Sequence, residues 1–350
     1  MIIVIHKEEL PLHDLNKPRT RRTRWFVIPL LLTLMLITAA CSANSTGNEK
    51  TTAESAAATQ APAPAETAQP TASAETATVK TVTTVNGDIE VPAEPKRIVA
   101  EEYLGSLIPL NMIPVGAPGL TLQNMYFKEA LAGVEDTGDY GKMNAEKIIA
   151  LNPDLIISSS VDNYETLSKI APTVIVPYGD LKNAHEELTY FGKLFGKEKE
   201  AADWLAEYDT RIAAAKAKVD AAIPADASFS ILELTDKAIY AYGDNFGRGG
   251  QPLYQSLGRK PPTEVASEIM EKQWAELSTE VLSKYAGDYI ILTSNQKTLE
   301  DLKADPIWSS LPAVKNNQVY VWKEERSWYY DPIAVLSQTE ELAAWLTSNK

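Results

Sequence analysis

Cysteine and histidine are scarce in this 350-residue chain, and their scarcity excludes several kinds of site. Cys41 is the single cysteine, so no disulfide can form within the chain. Of the three histidines, His185 alone lies beyond residue 40, where we expect an exposed position on a helix. Without a histidine cluster or a second cysteine, a transition-metal site built from side chains is not expected.

Sequence motifs of common enzymes are also missing. The chain has no Gly-x-Ser-x-Gly nucleophile setting, and glycine-rich residues 247–250 are not followed by the Lys-Ser/Thr of a phosphate loop. Residues 115–119, VGAPG, lack the dinucleotide-binding fingerprint. The acid pairs Glu101-Glu102 and Glu324-Glu325 could be catalytic, but adjacent acids in so acidic a chain are usually solvated. We therefore expect a binding protein and not an enzyme.

Basic residues are concentrated at the N-terminus. Residues 1–40 contain six of the 33 Lys and Arg but three of the 47 Asp and Glu, which leaves 27 basic and 44 acidic residues for the rest. The formal net charge of −14 for the whole chain therefore becomes −17 beyond residue 40. A surface that acidic argues against binding to nucleic acid and against adhesion to an anionic bilayer.

The N-terminal segment has the features of an export signal. A basic run, RTRRTR at residues 19–24, precedes the mostly apolar residues 25–40, which are too few to span a membrane comfortably. The segment ends Thr-Ala-Ala before Cys41 and resembles the lipobox of bacterial lipoproteins, with Thr38 where leucine is usual. We expect residues 1–40 to be a lipoprotein signal peptide and Cys41 to carry palmitate or a similar lipid; an ordinary secretory signal is the alternative.

Residues 41–78 have the composition of a disordered tether. They are mainly Ala, Thr, Ser, Pro and Glu, and they contain no large apolar side chain. Such a segment cannot bury enough surface to order itself, so it would let a folded head stand away from a membrane.

Beyond residue 78, strands alternating with helices predict a two-lobed α/β fold. Residues 79–196 begin with a hairpin that turns at Asn86-Gly87 in type I′ geometry. Residues 197–223 predict a single helix, because apolar side chains recur at three- and four-residue spacing without Gly or Pro. The alternation resumes in residues 224–350. Each lobe is predicted to be a mainly parallel sheet flanked by helices, and one long rigid α-helix joins the lobes.

A glycine-rich stretch of the second lobe, GDNFGRGGQPLY at residues 243–254, is a candidate ligand-binding segment. Its four glycines let a ligand approach the backbone, and Pro252 near a helix start leaves amide donors facing outward. Arg248 adds a planar set of donors beside Phe246 and Tyr242. The combination suits an oxygen-rich ligand with apolar surroundings; a plain surface turn is the alternative.

Three first-lobe segments form a recognisable set: PKRIVAEEYLGSLIPLNMIPVGAP from Pro95, NAEKIIALNPDLIISS from Asn144 and IAPTVIV from Ile170. In this order they resemble the substrate-binding proteins of iron-siderophore and cobalamin ABC importers. A long helix between two lobes is a feature of that family. The resemblance therefore implies the same two-lobed fold that the alternation of strands and helices predicts.

Three second-lobe segments narrow the resemblance: YGDNFGRGGQPLYQSLG from Tyr242, WAELSTEVLSKYAGDYIILTS from Trp274 and SWYYDP from Ser327. They resemble the ferric-hydroxamate branch of Gram-positive lipoproteins. The resemblance implies a monomeric, lipid-anchored receptor on the outer face of the cytoplasmic membrane. It would bind a ferric hydroxamate siderophore in the interlobe cleft and deliver it to an ABC permease. The siderophore would hold the iron, so the resemblance implies no metal bound directly by the protein and no cofactor.

The resemblance also implies which residues meet the ligand. In the ferric-hydroxamate branch, the arginine of the GRGG loop and a nearby tryptophan contact the iron-bound hydroxamate oxygens; here these are Arg248 and Trp328. Phe246 stands where relatives often have tryptophan, which removes one indole donor.

Three tyrosines complete the candidate cleft lining. Tyr103 and Tyr178 follow predicted first-lobe strands, and strand ends in open α/β sheets face the cleft. Both could instead be ordinary loop aromatics. For Tyr242, strand alternation aims either this ring or its neighbour Ala241 at the cleft.

Two glutamates are candidates for contact with the permease. Glu146 and Glu280 each fall near the start of a predicted helix, with Asn144 as the cap of the first and Ser278 or Thr279 as the cap of the second. The resemblance implies that one glutamate on each lobe meets an arginine of the permease. The alternative is that both carboxylates merely favour their helix dipoles.

Charge favours a hydroxamate among iron chelates. A ferric tris-hydroxamate is neutral or singly positive, whereas a ferric tris-catecholate is trianionic and needs several cations around it. The glycine-rich stretch offers one cation, Arg248, among aromatic side chains. A receptor for a catecholate, haem or cobalamin is the alternative, although haem lacks a convincing axial histidine. A siderophore-modifying enzyme is less favoured still.

Overall fold

Two five-stranded β-sheets organise residues 78–348, the part of the chain that the computed structural model describes. The predicted signal peptide, Cys41 and the tether up to residue 77 lie outside the described residues. The strands, numbered in chain order, are β1 (Val79–Thr84), β2 (Gly87–Pro92), β3 (Ile98–Ala100), β4 (Gly116–Ala117), β5 (Glu135–Asp136), β6 (Gly138–Asp139), β7 (Lys142–Met143), β8 (Leu155–Ser158), β9 (Thr173–Ile175), β10 (Phe229–Leu234), β11 (Ile239–Tyr242), β12 (Trp274–Leu277), β13 (Tyr289–Thr293) and β14 (Val319–Trp322).

The α-helices of the described residues cover these sheets. They are α1 (Leu104–Leu107), α2 (Gly119–Leu122), α3 (Ala145–Ala150), α4 (Tyr164–Leu167), α5 (Ala184–Phe195), α6 (Glu198–Ala222), α7 (Ala266–Lys272), α8 (Leu282–Tyr285), α9 (Leu299–Ala304), α10 (Pro312–Lys315), α11 (Glu324–Ser327) and α12 (Pro332–Ser348). Short 3₁₀ turns occur at Ile108–Leu110, Lys128–Leu131, Val161–Asn163 and Trp308–Ser310, and a π-helix spans Gln251–Ser256. Within residues 78–348, none of the helices has both the length and the apolar character needed to cross a membrane.

The first sheet is parallel throughout. Its strand order is β5-β4-β3-β8-β9, and β3, β8 and β9 are short apolar runs that are buried along their whole length. Strands covered by helices on both faces need no polar alternation, which is why these runs are continuous in the sequence. Strand β5 was not predicted, because its two residues are acidic and exposed and carry no apolar signal.

The second sheet is mixed. Its order is β12-β11-β10-β13-β14; β10, β13 and β14 run parallel, whereas β11 and β12 run antiparallel to their neighbours. Strand β12 was not predicted, because Ala, Glu and Leu in its sequence WAEL favour helices, and pairing with β11 overrides that preference. The predicted α/β class with two sheet-containing lobes is confirmed.

The N-terminal hairpin forms, but its turn differs from the predicted one. Thr84 pairs with Gly87, so Val85 and Asn86 are the turn residues and Gly87 already belongs to β2. Gly87 has φ +96°, whereas Asn86 is not among the residues with positive φ. A type I′ turn centred on Asn86-Gly87 would need positive φ at both residues, so that prediction is wrong.

Helix α6 confirms the predicted long helix. It ends where Ile223 becomes extended, at φ −116° and ψ 134°, as expected for the residue before a proline. Ala201, near its start, packs into the core of the first sheet, and Ala215 and Val219, near its end, pack into the core of the second. The two sheets fall within the predicted lobes, residues 79–196 and 224–350; the lobe boundaries themselves stay a prediction.

Hydrogen bonds beside the start of α12 tie the C-terminal segment to the first lobe. The carboxylate of Asp331 accepts from the backbone N–H of Ala334 and from the side chain of Asn124, both at 3.0 Å. The Tyr126 hydroxyl donates to the carbonyl oxygen of Arg326 at 2.8 Å. Burial raises the pKa of the Asp331 carboxyl to about 6, despite the two hydrogen bonds, which act to lower it.

We expect the Asp331→Asn variant to gain stability relative to the native chain as the pH rises. Because the pKa of Asp331 is higher in the folded chain than its ordinary value of 3.8, the folded chain holds the proton more tightly between about pH 4 and pH 6. Ionisation of Asp331 through that window lowers the free energy of unfolding by about 3 kcal/mol at most. Asparagine does not ionise, so the variant avoids this loss. Urea unfolding of both proteins at about pH 4 and pH 7.5 measures the effect. An equal difference in unfolding free energy at the two pH values would contradict it.

Candidate functional site

The glycine-rich loop leaves β11 and enters the π-helix through three consecutive residues with positive φ. These are Gly247 at +73°, Arg248 at +55° and Gly249 at +91°. A Cβ on Gly247 would lie 2.5 Å from the carbonyl oxygen of Trp328, so this position has room for no side chain. Arg248 adopts the left-handed conformation without being glycine, at a cost on the order of 1 kcal/mol. Such strain is characteristic of binding sites and indicates that the loop conformation is needed.

The side chain and backbone of Gln273 hold this loop against β12. The N–H of Gly243 donates to the Gln273 carbonyl oxygen at 2.8 Å, and the N–H of Asn245 donates to Gln273 Oε1 at 2.7 Å. Gln273 Nε2 in turn donates to Asp244 Oδ1 at 2.8 Å. The loop backbone is therefore bonded to a residue of a neighbouring segment before any ligand arrives.

Arg248 lies among three aromatic rings. Its guanidinium carbon is 5.0 Å from the ring centre of Tyr242, 5.1 Å from that of Trp328 and 5.8 Å from that of Phe246. These distances are within the range of cation–π attraction. The Arg248 side chain is 18% exposed, so it is largely enclosed yet still reaches the surface of the cleft.

A buried carboxylate lies behind the arginine. Glu233 on β10 has a side chain that is 5% exposed, and its Oε2 is 3.5 Å from Arg248 Nε. The Tyr242 hydroxyl donates to the same carboxylate, as does Trp328 Nε1 at 3.4 Å. Burial raises the pKa of the Tyr242 phenol, so this group is a neutral donor. One carboxylate thus contacts three of the predicted ligand-binding residues.

Sequence reasoning missed Glu233, although a signal was present. It is the single acid in the buried strand FSILEL, and it lies on the same face as Ile231, two residues before it. Ile231 pairs with Tyr242 across β10 and β11, so Tyr242 shares the face of Glu233. Ala241 packs on the other face, in one apolar core. Tyr242 is 5% exposed and packs in the other core, so it meets the cleft through the contact of its ring with Arg248, and its role as a lining residue stays a prediction.

The first lobe contributes Tyr178 to the same region. Its side chain is 44% exposed, and its ring centre lies 6.2 Å from that of Phe246 and 5.5 Å from that of Tyr330. Tyr330 also donates a hydrogen bond of 2.5 Å to Glu102 of the first lobe. Burial raises the pKa of the Glu102 carboxyl, while hydrogen bonds, that of Tyr330 above all, act to lower it. Aromatic side chains of both lobes therefore meet around Arg248.

A depression of about 520 Å³ adjoins this cluster. Tyr178 and Lys182 line it from the first lobe, and Phe246, Asp244 and Glu271 are among the residues that line it from the second. Its size is within the range of small-molecule sites. The mixture of apolar rings and charged groups suits a ligand with both apolar and polar parts.

Tyr103 does not fit the prediction that it lines the cleft. It is 5% exposed, its ring packs 5.1 Å from that of Phe191, and its hydroxyl donates to the carbonyl oxygen of Val176 at 2.8 Å. With φ at +68°, the backbone turns the side chain into the first-lobe core.

The expectation that the acid pair Glu101-Glu102 is solvated is wrong at Glu101. Its side chain is fully buried and accepts from the N–H of Gly141 at 2.8 Å.

The two predicted docking glutamates are both exposed. Asn144 caps the helix of Glu146 as predicted, since its side chain accepts from the N–H of Lys147 at 3.0 Å. The second cap is wrong. Helix α8 begins at Leu282, after Glu280, and its cap residue is Val281, whose apolar side chain can accept no hydrogen bond.

No group of three or more His, Cys, Asp or Glu side chains that could hold a metal ion occurs within residues 78–348. His185 lies on α5 with 51% of its side chain exposed, 3.0 Å from a carboxylate oxygen of Asp209. The exposed helical position agrees with the prediction for His185.

Comparison with known proteins identifies a family and several relatives. A family model described as "Periplasmic binding protein" matches residues 114–326. The iron(3+)-hydroxamate-binding protein YxeB of Bacillus subtilis is 33% identical over 321 residues, covering 90% of this chain and 94% of that protein. The iron(3+)-hydroxamate-binding protein FhuD of the same organism is 38% identical over 270 residues, covering 75% and 84%. Among solved structures, FhuD2 of Staphylococcus aureus with bound ferrioxamine B matches with a TM-score of 0.66 at 32% identity, covering 73% of this chain and 99% of that chain.

We expect Gly247→Ala to be more destabilising than a glycine replacement that is strained only by its backbone. Gly133 is the matched control, because its φ of +89° is also positive but nothing lies within 4 Å of an added Cβ. Gly133→Ala should cost about 1–2 kcal/mol, and Gly247→Ala should cost at least about 1 kcal/mol more through contact with the Trp328 carbonyl. Urea unfolding measures both. Equal costs would mean that the loop can move away from Trp328 freely.

Proposed function

Because the chain belongs to the periplasmic binding protein family, we propose that it binds a ferric hydroxamate siderophore in the interlobe cleft and delivers it to an ABC permease. The observation that carries the proposal is Arg248, held among three aromatic rings at the cleft. Its relatives named as iron(3+)-hydroxamate-binding proteins, and the related structure with ferrioxamine B, support this ligand class. The predicted resemblance to siderophore-binding proteins is confirmed.

The chemistry of the cleft suits a hydroxamate chelate. The guanidinium of Arg248 can donate to the hydroxamate oxygens, which carry partial negative charge beside the iron. Trp328 and Tyr178, both substantially exposed, can cover the apolar arms of the ligand, and the ring centre of Phe246 lies 6.2 Å from that of Tyr178. The iron is cargo held by the siderophore, and the protein recognises the outside of the chelate.

We propose that the receptor is held at the outer face of the cytoplasmic membrane by a lipid on Cys41. The apolar segment before Cys41, the lone cysteine and the tether-like composition after it support this anchor. Residues 41–78 would give the folded lobes enough reach to carry a ligand from the envelope to the permease. The receptor is proposed to act as a monomer.

Tryptophan fluorescence should report binding, because Trp328 is 37% exposed in the cleft. We expect the purified protein to bind ferrichrome and ferrioxamine B with submicromolar Kd and to bind a ferric tris-catecholate, haem and cobalamin much more weakly. Arg248→Ala should weaken hydroxamate binding roughly 10- to 100-fold, the loss expected for charge-assisted hydrogen bonds.

Arg211→Ala is the matched control for this experiment. Arg211 forms an exposed ion pair with Glu340, so its loss removes the same charge from the surface and should leave the Kd unchanged. Submicromolar binding of the catecholate but of neither hydroxamate would overturn the proposed function. Unchanged affinity in Arg248→Ala would remove the glycine-rich loop from the site.

We propose further that Glu146 and Glu280 dock the receptor on the permease. Both carboxylates are exposed, and Ile149, one turn after Glu146, is 58% exposed and adds an apolar contact beside it. The double variant Glu146→Ala, Glu280→Ala should keep its Kd for ferrichrome and lose iron uptake by cells. Replacing the exposed Glu94 and Glu165 together is the control and should leave uptake normal. Normal uptake with the first pair replaced would count against docking through these glutamates.

A further inference from the structure

Glu233 is a buried acid in a strand whose other residues are apolar or small. Strand β10 reads FSILEL, and the Glu233 side chain is 5% exposed. A buried carboxylate is costly unless positive charge and hydrogen-bond donors surround it. A sheet that needed only stability would use an apolar residue at this position, so a role in the neighbouring site is indicated.

All three groups around this carboxylate belong to the candidate ligand-binding wall. The hydroxyl of Tyr242 donates a hydrogen bond to Glu233, the indole N–H of Trp328 donates one at 3.4 Å, and Arg248 Nε lies 3.5 Å from the carboxylate. Glu233 therefore lies behind this part of the wall and contacts all three of these residues. It can act on the ligand only through these neighbours and through its charge.

The contact with Glu233 leaves much of the guanidinium free. Nε faces the carboxylate, whereas Nη1 makes only a long contact of 3.5 Å with the carbonyl oxygen of Phe246. The rings of Tyr242 and Trp328 hold the guanidinium carbon at about equal distances. Arg248 thus keeps donors for ligand oxygens while its formal positive charge is cancelled by the acid behind it.

The remaining charges around the cleft do not restore a positive potential. Glu102 lies on the first-lobe side, bonded to Tyr330 and Tyr140. The adjoining depression contains Lys182 together with two acids, Asp244 and Glu271. Because the charges of Arg248 and Glu233 cancel, the net charge of the remaining groups decides the local potential. That net charge is negative whether Glu102 is ionised or protonated. Such surroundings repel a trianionic chelate and accept a neutral or cationic one.

We propose that Glu233 determines the charge class of the ligand: by neutralising Arg248 it makes the site select neutral or cationic ferric chelates and reject anionic ones. This inference rests on the proposed function of the cleft as a siderophore site. According to this inference, Glu233 discriminates between hydroxamate and catecholate chelates although it does not touch the ligand. Glu233 is therefore a positioning residue for Arg248 and, through its charge, a specificity residue.

Glu233→Gln tests the inference, because glutamine keeps the shape and the acceptor oxygen but removes the charge. Dissociation constants are measured for ferrioxamine B, which is cationic, ferrichrome, which is neutral, and a ferric tris-catecholate. We expect the Kd ratio of ferrioxamine B to ferrichrome to rise about tenfold and the catecholate to bind at least about tenfold more tightly than to the native protein. A merely structural role would weaken all three ligands alike.

Two further variants keep the test decisive if Glu233→Gln is unstable. Glu233→Asp retains the charge, so it should preserve the ranking of the three chelates even if all bind more weakly. The double variant Glu233→Gln, Arg248→Gln removes both charges and should return the ranking to that of the native protein. Glu300→Gln removes an exposed charge on α9 and should change neither Kd nor ranking.

The outcomes separate this inference from the proposed function. If the native protein binds the hydroxamates and Glu233→Gln leaves the ranking by charge unchanged, the inference is overturned and the proposed function stands. If the native protein prefers the tris-catecholate or binds none of the chelates, both are overturned.

Discussion

A single helix shared by two cores is the constraint on which the rest of this structure depends. Helix α6 is 25 residues long, about 37 Å, and is buried in the first core at Ala201 and in the second at Ala215 and Val219. Its position cannot change at one end without disturbing packing at the other. The walls of the cleft are therefore held at a distance set by folding, and we expect ligand binding to adjust side chains more than lobes.

Within that frame, the cleft combines donors, rings and a balanced charge. The rings of Tyr242, Phe246 and Trp328 surround one guanidinium, and a buried acid stands behind it. The protein offers hydrogen bonds to a ligand without offering net positive charge. This is a different solution from the clusters of cations that an anionic chelate would need, and it agrees with relatives named for iron(3+)-hydroxamate binding.

Features with a local signal could be predicted from the sequence, and features that depend on distant residues could not. The long helix and the buried strands were predicted because the spacing of their apolar residues is visible within a single continuous segment. The loop arginine was found because glycines and aromatics surround it in the chain. Glu233 had a local signal as the one acid of a buried strand, but its role was missed because its partners are contributed by a neighbouring strand and by Trp328, 95 residues further on. Tyr103 was misplaced because its positive φ, which no pattern announces, turns it inward.

The attachment of the glycine-rich loop to Gln273 has a thermodynamic consequence for binding. A loop with four glycines would ordinarily lose much conformational entropy when a ligand ordered it. Here the bonds from Gly243 and Asn245 to Gln273 fix the backbone during folding. The entropic cost of ordering the loop is therefore part of the folding free energy of the unliganded protein. The ligand then binds to a preorganised surface. Affinity in this receptor is accordingly governed in part by Gln273, which lines the adjoining depression and holds the loop in place.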